Sequence, residues 1–289
     1  MAAGIYSPLR YPGGKARLAS FLSSVLQANR LEDAIYVEPY AGGAGAALDL
    51  LYSEGVQSIL INDADPRIHA FWRSITEQNE DFLELIEGAR LNVTEWKRQR
   101  EIYAAPSEYD TLSVGFATFY LNRTSRSGII HNAGPIGGFN QTGNYKIDAR
   151  FNRDGLIKRV RHIGMYSDRI DVTNLDGLAL IRSLASADEP HFVYLDPPYF
   201  VKGGDLYLNQ FTPDQHAELA KYFDEKYPHR WVMTYDNVSQ ISDLYKAHNQ
   251  QTFDLTYSAY ERRLGKELLI FPNYVTVPEG SKGLLRDAA

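Results

Sequence analysis

The run His191-Phe192-Val193-Tyr194-Leu195 stops abruptly at Asp196-Pro197-Pro198-Tyr199. An unbroken apolar stretch of that length reads as a buried strand of an α/β sheet. The two prolines then fix the backbone and remove two N–H donors, so the strand cannot continue and its carbonyls stay free to accept. One strand end thus carries a carboxylate, open acceptors and an aromatic ring.

The same rhythm recurs along the chain. Ala34-Ile35-Tyr36-Val37 reads as a strand running into Glu38-Pro39-Tyr40 and the small-residue stretch Ala41 to Gly45. Ala46, Ala47, Leu48, Leu50 and Leu51 then suit a helix. Ser58 to Ile61 is a second strand, ending at Asn62-Asp63, and Pro66 to Arg123 turns helical through Phe71, Ile75, Phe82, Leu85, Phe116, Phe119 and Tyr120. Periodicity fades from Asn122 to Arg153 into glycine-, asparagine- and arginine-rich sequence, which predicts exposed loops or a hairpin. Strands resume at Ile170–Val172, His191–Leu195 and Trp231–Tyr235; Phe253–Tyr257 and Glu267–Phe271 predict a closing antiparallel hairpin, and Pro278 onward a loose tail. The expected plan is an α/β parallel sheet with helices on both faces, built from 1–66 and 167–289, interrupted by an insert at 67–166. Ligands in such sheets bind beyond the carboxyl ends of the strands, near the switch point.

Four motifs carry chemistry. An exocyclic nucleobase amine is a poor nucleophile because its lone pair is delocalised into the ring. A carboxylate such as Asp196 and a backbone carbonyl at Pro197 can each accept one N–H, freeing the lone pair and stabilising the charge that develops on nitrogen. Pro198 continues the rigid turn, and Tyr199 offers a flat face for a base. Glu38 to Gly45 is neither G-x-G-x-x-G nor a P-loop. A glycine turn of this kind suits a ligand without phosphate, such as S-adenosylmethionine; Glu38 is placed to approach the cationic methionine end, with Tyr40 and Gly42 beside it. Asp63 is placed to accept ribose hydroxyls, and Asp65 before Pro66 reads as a helix cap. In Arg10-Tyr11-Pro12-Gly13-Gly14-Lys15, Lys15 is read as holding the methionine carboxylate and Tyr11 as lining the cofactor pocket.

Composition narrows the chemistry. With no cysteine, there is no disulfide, zinc-thiolate site or cysteine nucleophile, which excludes the covalent route to C5-methylcytosine. His69, His131 and His191 lack metal-ligand spacing, so no metal is expected. No apolar run could span a bilayer and the N-terminus lacks a signal-like stretch, so a cytoplasmic protein without membrane association is expected. The chain carries −6 overall, yet Arg90 to Arg169 holds thirteen Lys/Arg against seven Asp/Glu. A basic middle within an acidic chain is the footprint of a phosphate-contacting insert.

The order Arg10–Lys15, Glu38–Gly45, Asp63, a central segment, then Asp196–Tyr199 resembles, over nearly the whole chain, the DNA adenine methylase (Dam) type of N6-adenine methyltransferases, the D12 family, in its permuted alpha-group order. The resemblance implies a Rossmann-like S-adenosylmethionine-dependent methyltransferase sheet of seven strands, with an inserted, mainly helical target-recognition domain. It implies a cofactor site using Tyr11, Lys15, Asp63 and Asp196, and a catalytic Asp-Pro-Pro-Tyr at 196–199. Tyr11 departs from the tryptophan many relatives place there, though an aromatic wall is kept. Phe119-Tyr120-Leu121-Asn122-Arg123 is similar to the aromatic-x-x-Asn-Arg signature that opens the family's DNA-contact region. The hairpin through Tyr257, Arg262, Arg263 and Lys266-Glu267 resembles the segment before its last strand.

For the insert, Asn122, Arg123 and Arg126 are candidates for base or phosphate contact, and Asn140, Gln141 and Asn144 for bidentate reading of adenine edges. Lys146, Arg150, Arg153, Lys158 and Arg159 are read as phosphate contacts. The expected reaction is methyl transfer from S-adenosylmethionine to N6 of an adenine flipped out of double-stranded DNA. The motif chemistry alone does not separate adenine N6 from cytosine N4; the resemblance favours adenine. A glutamine-amide methyltransferase would usually show Asn in place of Asp196, and a DNA-binding module without catalysis would not need these side chains. A monomer or weak dimer is expected, and a partner restriction endonuclease, a phage origin and a solitary role stay open.

Overall fold

The computed structural model describes residues 6–10, 15–126, 130, 133–201, 211–225, 227–257 and 263–279. A seven-stranded sheet has the order β3-β2-β1-β4-β5-β7-β6. Its strands are β1 (Ile35–Glu38), β2 (Ser58–Asn62), β3 (Ile170–Thr173), β4 (His191–Leu195), β5 (Arg230–Asp236), β6 (Asn249–Tyr257) and β7 (Arg263–Phe271). β1 pairs in parallel with both β2 and β4, and β4 in parallel with β5. The fold is therefore the Rossmann-like α/β arrangement the motifs predict. From β1 the chain moves outward to β2 and later returns on the other side to β4. That reversal makes the crevice beyond the ends of β1 and β4 the switch point.

All five residues of β4 are buried, which explains their unbroken apolar character. Around Val193 and Leu195 pack Leu178 and Ile181 of α8 (Gly177–Leu184), Leu219 and Phe223 of α9 (Pro213–Glu225), Trp231 and Met233 of β5, and Ile270 of β7. On the other flank α1 (Ala19–Ala28) buries Phe21, Leu22, Val25 and Leu26, and α2 (Gly45–Tyr52) buries Leu48, Leu50 and Leu51. A short helix, α10 (Ser239–Leu244), follows β5. The hairpin predicted at 253–257 and 267–271 extends further, with β6 starting at Asn249 and β7 at Arg263. In it β7 runs antiparallel to both neighbours, and Asp236 at the end of β5 faces Glu267 in the middle of β7.

The chain divides into two compact units. One comprises Gly13–Ala64 and Leu175–Ala289 with Met1–Ile5; the other comprises Asp65–Asn174 with Tyr6–Pro12. The second unit thus takes in more than the 67–166 insert read from sequence. Its helices are α3 (Pro66–Glu77), α4 (Asn79–Gly88), α5 (Val93–Ala104), α6 (Thr111–Thr124) and α7 (Arg153–Gly164). Local signals set their starts. Asp65 accepts from the Arg67 N–H with Pro66 at the first position, and Asn92 and Asp110 cap α5 and α6 in the same way.

Every residue of α6 from Val114 to Thr124 is buried, as befits a helix surrounded by others. Gly115 permits that packing, because a Cβ there would lie 2.6 Å from the Ala70 carbonyl oxygen of α3. After α6, where loops or a hairpin are expected, the described residues hold one antiparallel bridge, Ser125 to Pro135. Tight turns follow at Gly137 and Gly138. The expected tail lies outside the described residues from 280 onward. No helix among the described residues is long and apolar enough to cross a membrane.

Candidate active site

The first motif sits at the end of β1. Glu38 is buried; its Oε1 accepts from the Tyr36 hydroxyl and from the Ala47 N–H, both at 3.0 Å. The second bond satisfies a donor in the first turn of α2, a position that otherwise has no side-chain cap. Burial pushes the Glu38 carboxyl up to about 8, against the opposing pull of those two hydrogen bonds. Gly42 adopts a left-handed conformation (φ 47°), which lets its N–H reach Asp63 Oδ2 at 3.1 Å across from β2. The turn is tied to the β2 end a second time, by Ala41 N–H to the Asn62 carbonyl at 2.9 Å. Tyr40 packs so closely on Gly177 that a Cβ there would lie 2.3 Å from its ring, and Phe211 meets the ring edge-on at 5.7 Å. The Tyr40 hydroxyl is buried with no hydrogen-bond partner among the described residues.

At the end of β4, Asp196 enters a network of charge. Lys15, on a 3-10 turn at Lys15–Leu18, places Nζ 3.1 Å from Asp196 Oδ2, 3.5 Å from Glu267 Oε1 and 2.7 Å from the Tyr199 hydroxyl. Asp196 Oδ1 accepts from Thr234 Oγ1 at 3.0 Å, and Thr234 in turn meets the Tyr194 hydroxyl at 2.8 Å. The Tyr199 hydroxyl lies 2.5 Å from Glu267 Oε1 and 3.2 Å from Asp196 Oδ1. Burial works against a charged Lys15, but the carboxylates of Asp196 and Glu267 outweigh it and hold its pKa above the ordinary value. For Asp196 burial is the largest influence and raises the pKa, Lys15 lowers it, and Glu267 raises it.

From sequence, Lys15 is expected to hold a methionine carboxylate and Tyr199 to present a stacking face. The structure gives Lys15 the partners just described. Tyr199 is 8% exposed, and its ring lies against Tyr235 with centroids 6.4 Å apart. Pro197 is buried and Pro198 half-buried. Asp236, at the end of β5, accepts from Phe200 N–H at 3.0 Å and Val201 N–H at 2.9 Å, and so fixes the backbone just after Tyr199. Tyr11 lies outside the described residues, as do His131 and Arg262.

The helical unit uses several of its predicted DNA-contact residues internally. Asn122 accepts from Arg10 N–H at 2.7 Å and donates to the Arg10 carbonyl at 2.8 Å. Arg123 is buried and donates to the Pro8 carbonyl through Nε, at 2.7 Å, and through Nη2. DNA contact through this pair would require those bonds to break, so the geometry assigns both to anchoring residues 8–10. Gln141, with φ 51°, donates to the Ile136 and Gly138 carbonyls and accepts from Ile147 N–H, so its amide holds the loop together. Lys146 donates to the Gln141 and Gly143 carbonyls while remaining exposed. Arg153 caps the carboxyl end of α4 through the Ile86, Glu87 and Ala89 carbonyls.

Arg126, Asn140 and Asn144 are exposed, near the exposed rings of Phe139 and Tyr145 in sequence. Arg10, Arg123, Arg150 and Arg159 gather closely enough that the Arg123 pKa falls to about 9, first through burial and then through the other three guanidiniums.

Thr234 and Glu267 belong to the charged network and Asp236 fixes the backbone after Tyr199, yet sequence reasoning gave none of them a role. Thr234 lies in the predicted strand Trp231–Tyr235 and Asp236 directly follows it, which was the available signal. Glu267 had none beyond its place in the hairpin.

A family model for D12 class N6 adenine-specific DNA methyltransferases matches residues 11–259. The chain is also similar to a "Type II methyltransferase M.CviBI" from Paramecium bursaria Chlorella virus NC1A, at 23% identity over 246 residues, 83% of this chain and 89% of the relative. With both carboxylate-bearing strand ends inside a match of that extent, the chain belongs to the D12 class N6 adenine-specific DNA methyltransferase family.

Proposed function

We propose that this chain binds S-adenosylmethionine beyond the ends of β1 and β2 and transfers its methyl group to N6 of an adenine extruded from duplex DNA, with Asp196 accepting an amine hydrogen. The residues fit the cofactor: Asp63 for ribose hydroxyls, the Gly42 turn for close backbone approach, buried Glu38 as an acceptor near the cationic end, which would favour loss of its proton, and the orphaned Tyr40 hydroxyl as one more polar contact. When bound, the cofactor supplies a methyl group on a positively charged sulfur.

Asp196 and the Pro197 carbonyl orient the amine, so that its lone pair points at the methyl group. Asp196 also stabilises the charge that develops on nitrogen. The nitrogen becomes acidic only once methylated, and its proton then leaves through Asp196 or to water. A base reaches the face of Tyr199 after the side chains that now bury it have shifted. One observation carries this reading. The Asp196 side chain is 21% accessible while its partners Lys15 and Glu267 are 6% and 0%, so Asp196 is the member of the cluster that a substrate meets.

Duplex DNA meets the helical unit, with Arg10, Arg150 and Arg159 on phosphates and Arg126, Asn140 and Asn144 at base edges. That the viral relative is a Type II methyltransferase supports reading this chain as the modification partner of a restriction endonuclease; we further read it as a cytoplasmic monomer or weak dimer. Labelled methyl transfer to unmethylated genomic DNA, followed by nucleoside mass spectrometry, tests the reaction. N6-methyladenine that disappears with Asp196→Ala supports it; N4-methylcytosine, or turnover that survives Asp196→Ala, sinks it.

A further inference from the structure

We propose that Glu267 is a positioning residue for methyl transfer, taking the Tyr199 hydroxyl hydrogen and sharing the Lys15 ammonium so that Asp196 can receive the target amine. Glu267 lies beyond the family match, which ends at residue 259, and the resemblance of its hairpin to the family's last segment gives it no role. The antiparallel pairing of β7 with β5 delivers it, fully buried, to the end of the sheet where Asp196 sits.

The number of donor hydrogens around the two carboxylates decides how they are shared. Tyr199 has one hydroxyl hydrogen and two carboxylates within reach. Glu267 Oε1 at 2.5 Å takes it in preference to Asp196 Oδ1 at 3.2 Å, and a hydroxyl–carboxylate contact of that length is charge-assisted. Lys15 donates to the Tyr199 oxygen and divides its remaining hydrogens between Asp196 at 3.1 Å and Glu267 at 3.5 Å. Without the second carboxylate, both donors turn to Asp196. Thr234 already occupies one site on its Oδ1, so three donors would crowd the group meant to accept an amine hydrogen and offset its charge, leaving about one of its four acceptor sites. A buried carboxylate beside another is unfavourable unless it is paired, and here the pairing is with the two groups that compete for Asp196.

This inference depends on Asp196 receiving the amine, and the test keeps the two apart. Single-turnover methyl transfer is measured for wild type, Glu267→Gln, Tyr199→Phe, the double variant and Asp196→Ala, with dissociation constants for cofactor and DNA. Glu267→Gln is expected to slow transfer on the order of 10–100-fold while both dissociation constants stay within about two-fold. Adding Tyr199→Phe to Glu267→Gln is expected to recover part of that loss, since it removes one donor from Asp196. The acid limb of the rate profile should move to lower pH in Glu267→Gln, because a negative neighbour of Asp196 is gone.

A wild-type rate in Glu267→Gln, with Asp196→Ala inactive, overturns the role of Glu267 and leaves the reaction assignment standing. Loss of rate together with cofactor affinity, without recovery in the double variant, also overturns it, since that is the mark of a purely structural residue. Turnover in Asp196→Ala removes the underlying reading instead. Should Glu267→Gln fold poorly, Glu267→Asp pulls the carboxylate back by one methylene and carries the same expectation of slower transfer, unchanged affinity and recovery with Tyr199→Phe.

Discussion

Asp196 and Arg123 both stand in short motifs that point to function, and the structure treats them differently. Asp196 follows a buried strand, and the carboxylate emerges partly accessible among groups that tune its charge. Arg123 lies in the last turn of a helix buried on all sides, and its guanidinium goes to the Pro8 carbonyl. A strand end at a switch point leaves the main chain satisfied by its ladder, so the side chain is free for chemistry. A helix end and the loop segment beside it have unpaired carbonyls and amides, and nearby Asn, Gln and Arg side chains are drawn to them first. Asn122, Gln141 and Arg153 repeat this pattern.

The largest effect that could break the contrast is at Asp196. Asp196→Ala is expected to reduce methyl transfer by roughly 10²–10⁴-fold, with the protein folded and cofactor still bound; mass spectrometry of the DNA and calorimetry of cofactor binding measure the two.

Next comes Arg123. Arg123→Met should cost about 1–3 kcal/mol of unfolding free energy, because the Pro8 carbonyl loses its donor. The salt dependence of DNA binding should keep its slope. Unchanged stability with a slope reduced by about one would instead make Arg123 a phosphate contact. Exposed Arg126 should give the reverse result, with Arg126→Ala neutral in a denaturation experiment and shallower in the salt titration.

Glu38 sharpens the contrast through pH. Its carboxyl is raised from 4.5 to about 8 in the folded protein, so the native state holds a proton that the unfolded chain releases across that window. Stability from this group is therefore fully present below about 4.5 and declines as pH rises toward 8. Glu38→Gln should flatten that part of the curve in denaturant titrations between pH 5 and about pH 8; an unchanged curve would show that Glu38 is ionised in the native state. The smallest effect is at Asp65, where Asp65→Ala should remove about 1 kcal/mol by uncapping α3, with no change in transfer rate.

Much of this was legible before any coordinates. The strands read at 34–37, 58–61, 191–195 and 231–235, each within a residue of the observed bounds, the cap at Asp65, and the family order of motifs all follow from local sequence. The irregular stretch after Thr124 was harder. Its turns depend on residues such as Gln141, whose left-handed backbone and three hydrogen bonds make sense only once Ile136 and Ile147 have come together. The loose boundaries of the hairpin have a similar origin, since pairing over nine residues is decided by the partner strand.

By itself, then, the sequence determined the class of fold and the chemistry of the strand ends. Proline, glycine, capping side chains and unbroken apolar runs act on their immediate neighbours, and no distant contact is needed to read them. The tertiary structure decided the partners of Lys15 and the spare capacity of Asn122 and Arg123. Lys15 meets Glu267 because an antiparallel strand folds back beside β5, bringing together residues about 250 positions apart that nothing local connects.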